Sequence, residues 1–388
     1  MVGHLSLFIR HRAGRATGLA FGATGLIFGS WAALIPFIKE KFDLDKAELG
    51  LLLLALPAGV VLMNPFSVAV LRWLGSARAT VFSLVLAGIL FILPFAMPAL
   101  WLVALSLFIA GAAFSSMNVS MNTCASQVEQ RQGIRIMSTC HGLWSTGAMS
   151  GSALAGMATG WGMSPAVYVG ILCLLELAIA GSLWRPLAEV PDDDHPAPEA
   201  IKKKKTGLVM PNAALWLLIS ISLCTNLTEG AMADWSAVYM REIIQAPGTM
   251  AGWGFAVYAF FMAGGRFLGD ELIGRFGSRA ALRTCGILSA LGLITVVLVN
   301  STAAALAGFA LTGMGVSLAA PILYAASART PGMAKGAGLA TMNTFAMAGF
   351  LGGPVFIGLL AKISSLQVAF AVVAAFAGFW AWRAGRVS

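Results

Sequence analysis

Charge is what this chain has least of. Only 11% of its 388 residues are Asp, Glu, Lys or Arg, against about 25% in an ordinary soluble domain. No polar stretch is long enough to house a soluble catalytic or signalling domain. An HExxH helix, a nucleophile elbow and a phosphate-binding glycine loop are all missing, so the chain is not read as an enzyme and no catalytic residue is expected. The five cysteines (Cys124, Cys140, Cys173, Cys224, Cys285) are odd in number and show neither CxxC nor metal-ligand spacing. They read as small apolar packing residues, with no metal and no cofactor implied. A cleaved signal is missing too: Arg10, Arg12 and Arg15 lead straight into a long apolar helix, with no short apolar core before a small-residue cleavage site.

Apolar length takes the place of charge. Hydrophobic residues make up 59% of the chain. Twelve apolar segments follow one another at about 15–38, 47–70, 79–98, 99–123, 137–160, 164–184, 213–240, 250–272, 279–299, 301–325, 336–361 and 364–383. Each is near the roughly 20 residues that cross a bilayer as a helix. The expected class is an all-α membrane protein with twelve transmembrane helices and the lipid bilayer as its constant partner. The 44 glycines fit, since small residues let membrane helices approach closely.

The net charge of +9 would suggest nucleic acid in a soluble chain. Here its placement explains it, and no nucleic-acid partner is expected. With the N-terminus in the cytoplasm, every Lys and Arg except Lys39, Lys41, Lys46, Arg241 and Lys362 falls on the inner side. The positive-inside rule then predicts that both termini are cytoplasmic.

One hydrophilic stretch divides the chain, from Arg185 to Pro211. It holds Pro191-Asp-Asp-Asp-His195-Pro and then Lys202 to Lys205, the composition of an exposed linker. The lysines either bind anionic lipid or simply obey the charge rule. The expected domains are 1–184, a first six-helix bundle; 185–211, a cytoplasmic linker; and 212–388, a second bundle. The halves repeat at an offset of 202 residues. Gly50 pairs with Gly252, Gly75-Ser76 with Gly277-Ser278, Gly111 with Gly313, Ser115 with Ser317, Gly151 with Gly353, and Gly156 with Gly358. Trp31 and Trp235 pair at 204. Two parallel six-helix repeats around a midplane site are the layout of a rocking secondary transporter.

Gly265 to Arg283, Gly-Arg-Phe-Leu-Gly-Asp-Glu-Leu-Ile-Gly-Arg-Phe-Gly-Ser-Arg-Ala-Ala-Leu-Arg, resembles the signature loop between helices 8 and 9 of the major facilitator superfamily. The resemblance extends over the whole chain and implies that superfamily's fold and a gating role for Arg266, Asp270 and Arg275. The first half departs from the pattern at Val68, where an acid is expected. Gly29-Ser30-Trp31, Met117-Asn118…Met121-Asn122, His141-Gly142 and Glu229 to Trp235 are similar to a bacterial MosC-like branch. Its proposed cargo is rhizopine, a methylated amino-inositol. The fucose permease group of proton–sugar symporters is a more distant likeness. The inner membrane and a monomer follow as expectations from that resemblance.

In this fold segments 1, 4, 7 and 10 are expected to line the cavity. Segment 7 carries two carboxylates, Glu229 and Asp234, where an ionisable group costs several kcal/mol unless it faces water, a partner or a ligand. On a helix they point about 140° apart. Glu229 shares its face with Thr225 and Asn226 and is assigned to the cavity. Desolvation disfavours a charged carboxylate, so Glu229 is the first candidate to load and release a proton. The bland alternative is a hydrogen bond to a neighbouring helix. Asp234 is expected as an outer-gate partner of Lys39 or Arg241.

On segment 4, Ser115, Asn118 and Asn122 form one polar stripe, able to bind hydroxyls or an amine or to glue helices together. His141, able to titrate near neutral pH, is paired by the repeat with Asn343. Trp31, Trp144, Trp235 and Tyr324 are candidates to stack on a cyclic polyol, or are ordinary core and lipid-facing aromatics. Glu176, deep in segment 6, has no role that the sequence supplies beyond sitting protonated against a neighbour.

The expected function is alternating-access transport of a small polar solute (a sugar, cyclitol or amino-inositol), with proton symport favoured. The alternative is a proton-driven exporter of drugs or metabolites. Drug antiporters of the superfamily carry a Gly-Pro pair in helix 5, where this chain has Gly151-Ser152; its own Gly353-Pro354 pair lies on segment 11.

Overall fold

The computed structural model describes residue 8 and residues 10–134, 136–189, 210–331 and 337–387. These are helices and short connections, with no strand among the described residues. In the first half, α1 is Arg12–Lys41. Then α2 is Lys46–Leu53 continued by Ala55–Leu74, and α3 is Ser76–Leu90 continued by Leu93–Ala96. Leu100–Gln132 is α4, Met137–Gly160 is α5 and Pro165–Ala188 is α6. In the second half, α7 is Ala213–Glu242 and α8 begins at Trp253–Phe267. The run Gly269–Leu298 breaks at Gly277, which ends α8 and starts α9. Thr302–Val316 and Ala319–Ala328 make α10, Ala337–Ile363 is α11 and Leu366–Ala384 is α12.

Ten helical stretches among the described residues are long and apolar enough to cross a membrane. The other two are α5, diluted by Ser, Thr and Gly, and α8, whose first helix stops after 15 residues. The twelve helices form the two pseudo-symmetric six-helix bundles of an all-α membrane protein.

Local chemistry sets the helix ends. Ser164, Asn212, Ser301 and Ser365 each accept the N–H three residues on, satisfying donors that a helix start leaves free. α4 runs well past the apolar stretch because Gln, Glu and Arg are good helix formers. It stops at Gly133, which takes a left-handed φ of 63°. From that last stretch Glu129 accepts the N–H groups of Ile136 and Met137 at 2.7 and 2.8 Å, holding the start of α5. The sequence repeat reappears in the backbone. Gly75 turns α2 into α3 with φ 79° and ψ 161°, and its mate Gly277 turns α8 into α9 with φ 79° and ψ 155°. A residue with a Cβ rarely adopts that conformation.

The chain divides into two compact units. Unit 1 runs to Asp43, resumes at Leu52, and takes in Pro247–Gly252; unit 2 takes in Leu44–Leu51 and the second half from Trp253 onward, with α7 before it. In unit 1, side-chain hydrogen bonds cross between helices: Ser30 to Tyr168 at 2.9 Å, Ser67 to Ser115 at 3.2 Å, and Ser76 to Gln127 at 2.8 Å. In unit 2, Tyr239 stacks near Phe370 at 4.5 Å and donates to the Val296 carbonyl at 3.1 Å. Other hydroxyls, such as Thr24, Thr80, Thr228 and Thr312, bond the carbonyl one turn back, the usual way to satisfy a hydroxyl inside an apolar helix. The outer surface is apolar: Trp73, Leu298 and Ile363 are at least three-quarters exposed, which suits lipid rather than water.

Each unit includes a short piece from the other half of the sequence. In unit 1, Gly252 stands against the Ser152 carbonyl, its own carbonyl accepts from Ser152 Oγ at 2.6 Å, and Gly156 faces its backbone. In unit 2, Gly50 stands 2.6 Å, measured to the position a Cβ would take, from the Pro354 carbonyl, and 3.3 Å from Gly358. The residues in the two contacts correspond at the 202-residue offset. Unit 2 adds two ion pairs to its contact, Lys362 to Asp45 at 2.7 Å and Lys46 to Glu242 at 3.9 Å.

Candidate functional site

The strongest polar cluster lies inside unit 2, on α7, α8 and α10. Glu229 is half-buried on α7, and Arg266 is half-buried near the end of the first helix of α8. The Arg266 charge acts on the Glu229 carboxylate. Both charges are felt at the hydroxyls of Tyr258 on α8 and Tyr324 on α10. Glu229 and Arg266 make no direct ion pair with a described residue. Tyr258 is 2% exposed, yet its hydroxyl has no hydrogen-bond partner among the described residues. A buried hydroxyl left unbonded costs about 1–3 kcal/mol. Tyr324 is 46% exposed, so its ring is open on one side. An acid, a base and two phenols thus converge from three helices. The arrangement can exchange a proton, bind hydroxyls, or accept a ligand group between opposite charges.

The neighbours on α7 are committed elsewhere. Thr225 donates to the Ser222 carbonyl, and Asn226 donates to the Ser222 carbonyl and hydroxyl at 2.9 and 3.2 Å. Their polar groups serve the helix in this state. Asp234 is half-buried on α7. Glu242, at the end of α7, pairs with Lys46, and Asp45 pairs with Lys362. Trp235 is fully buried, and its ring meets Gly358 of α11, so it packs the core of unit 2.

In unit 1 the polar stripe on α4 closes on itself. Asn122 donates to the Asn118 side chain at 2.6 Å and to its carbonyl at 2.8 Å, while Ser115 bonds Ser67. Trp31 is 3% exposed and meets Phe91 and Phe95 edge-on. Trp144 packs against Phe28 at 5.7 Å. His141 is exposed and lies edge-on to Phe21 at 5.1 Å. On α8, Arg275 is exposed and its guanidinium lies 5.5 Å from the Phe276 ring. The side chains of Asp270 and Asn343 lie outside the described residues, as do His195 and Lys202 to Lys205.

Two features escaped sequence reasoning. Tyr258 was not singled out, although it is one of only four tyrosines and lies eight residues before Arg266, about 80° away on the helix. Arg266 was assigned to the gate by its place in the signature loop. Its charge also reaches Glu229. Glu176 is fully buried against Gly88 of α3, with both carboxyl oxygens unbonded among the described residues.

No residues among those described group as a metal site. The family model for the Major Facilitator Superfamily matches residues 16–243 and 230–386. The chain is 34% identical over 370 residues to an uncharacterized MFS-type transporter of Yersinia pestis, covering 92% of this chain and 91% of the relative. It is 31% identical over 351 residues to the membrane protein MosC of Rhizobium meliloti, covering 90% and 84%. Among solved structures, the nucleoside transporter NupG matches with a TM-score of 0.73 at 12% identity, covering 97% of this chain and 98% of that one. At that identity the likeness speaks for fold alone. The chain belongs to the Major Facilitator Superfamily and is a multi-pass membrane transporter.

Proposed function

We propose that this transporter moves a small polar solute of the sugar, cyclitol or amino-inositol type by alternating access, coupled to protons through Glu229. One observation carries the reading: the charge of a guanidinium on α8 acts on a carboxylate on α7, and a buried phenol hydroxyl that feels both charges has no partner among the described residues. When Glu229 is ionised, Arg266 balances it. When it is protonated, Arg266 is released to bind solute oxygen atoms, together with the unpartnered Tyr258 hydroxyl. A proton and a solute then favour the same state, which is what symport requires. The MosC likeness supports a polyol or amino-polyol over a lipophilic drug. The proposed setting is the bacterial inner membrane with both termini cytoplasmic, acting as a monomer with no cofactor. Asp234 and His141 are reserve proton sites, and Asn118 and Asn122 the neutral contacts of the first half.

The test is pH change in lightly buffered proteoliposomes on adding inositols, amino-inositols or hexoses to wild type and Glu229→Gln. Solute-dependent proton movement lost in the variant, with solute binding kept, is the expected result. The sign of the movement separates symport from proton-driven export. Unchanged proton movement in the variant removes Glu229 from the coupling role. Solute uptake without proton movement in wild type removes proton coupling altogether.

A further inference from the structure

A second site lies on the outer surface of unit 1. A groove of about 550 Å³ runs between α1, α3 and α6, within the size range of ligand pockets. Val81 and Val85 of α3 form one wall; Leu177 and Trp184 of α6 form the other, with Gly181 between them. Leu177, Gly181 and Trp184 are exposed, so the groove opens outward, to lipid in a membrane. Arg12 and Arg185 line one end. Arg78 stands exposed three residues before Val81, on the same face of α3.

The groove is therefore apolar along its length and basic at one end. From Leu177 to Arg185 it spans about 12 Å along α6, the depth from a headgroup into the upper part of an acyl chain. Trp184 sits beside the arginines, where an indole suits the membrane interface. Arg12 shares its charge with Glu189 at 2.9 Å. Arg185 makes no ion pair among the described residues, and guanidinium groups match phosphate geometry. The charge pattern puts this end on the cytoplasmic side, where anionic lipids concentrate.

We infer that the groove between α1, α3 and α6 is a binding site for one anionic phospholipid, its phosphate on Arg185 and Arg12 and an acyl chain along Gly181. Free phosphate would use only the basic end and gain nothing from the apolar walls. A zwitterionic lipid would fill the walls and bring no net charge to the arginines.

The test is native mass spectrometry and thermal unfolding of the purified full chain with added phosphatidylglycerol, phosphatidylcholine or inorganic phosphate. Phosphatidylglycerol should be retained and should raise the melting temperature, with the other two giving little. Arg12→Gln with Arg185→Gln should weaken retention about tenfold or more. Gly181→Leu extends into open space and should lower retention by blocking the groove while leaving the arginines intact. Size-exclusion elution and circular dichroism of both variants check that they fold. Retention unchanged in either folded variant, or equal stabilisation by phosphatidylcholine, overturns the assignment. Retention that appears only after Asp192, Asp193 and Asp194 are changed to Asn would give the groove to that acidic segment and overturn it as well.

Discussion

In unit 1 the polar side chains of α4 are hydrogen-bonded, to each other or to α2, whereas in unit 2 Glu229 of α7 and Arg266 of α8 form no ion pair among the described residues. Asn122 is bonded to Asn118, and Ser115 to Ser67. The Arg266 charge acts on Glu229, and the Tyr258 hydroxyl has no hydrogen-bond partner among the described residues. The same six-helix plan is thus used in two ways. A neutral, self-satisfied stripe holds its shape when a ligand leaves. A separated charge pair changes its energy with each proton or solute that enters, because unpaired charges away from water are costly. The repeat sets the scaffold of both halves, and the difference between them is where the proposed coupling chemistry is placed.

The largest expected effect is at Glu229. Glu229→Gln should reduce proton-driven accumulation by about 100-fold, a loss of roughly 3 kcal/mol of coupling. Asn118→Ala should change apparent solute affinity by about tenfold at most, the scale of one hydrogen bond. Equal losses from the two would erase the contrast between the units. Initial uptake rates against a fixed proton gradient measure both.

Next is Arg266→Gln, which should lower accumulation by about 10- to 100-fold. In the Glu229→Gln background it should add little, because the two residues act as one unit. Additive losses in that double-mutant cycle would place Arg266 in the gate, as its position in the signature loop suggests, and separate it from Glu229.

How far the sequence carries is clearest at this point. The twelve spans, the 202-residue repeat and the turning pair Gly75 and Gly277 were all readable, since apolar length and glycine spacing are local signals. Glu229 stands out in the sequence as a candidate because a carboxylate in an apolar run has few explanations. Tyr258 was not, because a lone tyrosine in a helix looks like core until its hydroxyl is seen to lack a partner. A partner for Asp234 is not legible in sequence, because register along one helix cannot reveal a partner on another. Lys46 engages Glu242 and Lys362 engages Asp45, which are cross-helix events. The five basic residues outside the inner set all prove engaged: Lys41 caps the Phe95 and Met97 carbonyls, and Lys39 and Arg241 have partners too.

A smaller, symmetric effect is expected at the exchanged pieces. Gly252 in unit 1 and Gly50 in unit 2 meet facing backbone, so Gly252→Val and Gly50→Val should each cut transport by a similar factor, about tenfold. Unequal losses would show that the ion pairs in unit 2 bear more of that contact than its glycines.

The smallest effect is at Asp45. Its carboxyl is held below the ordinary carboxylate range, first by the bond from Lys362 and then by nearby backbone N–H groups, with desolvation opposing weakly. A depressed carboxylate stabilises above its unfolded value, about 3.9, and that stability is lost as pH falls through the folded value. Asp45→Asn should therefore lower the melting temperature slightly and equally at pH 8 and pH 5, with the gap closing below about pH 4. A gap that changes between pH 8 and pH 5 would place the controlling charge elsewhere.

The most direct measurement of the central claim is to compare solute counterflow with proton-driven uptake in Glu229→Gln proteoliposomes, using the solute that moves protons in wild type. Counterflow needs translocation alone; uptake against a gradient needs coupling as well. Counterflow kept and proton-driven uptake lost is the predicted result. Proton-driven uptake kept in the variant would contradict the account and move the coupling site away from Glu229.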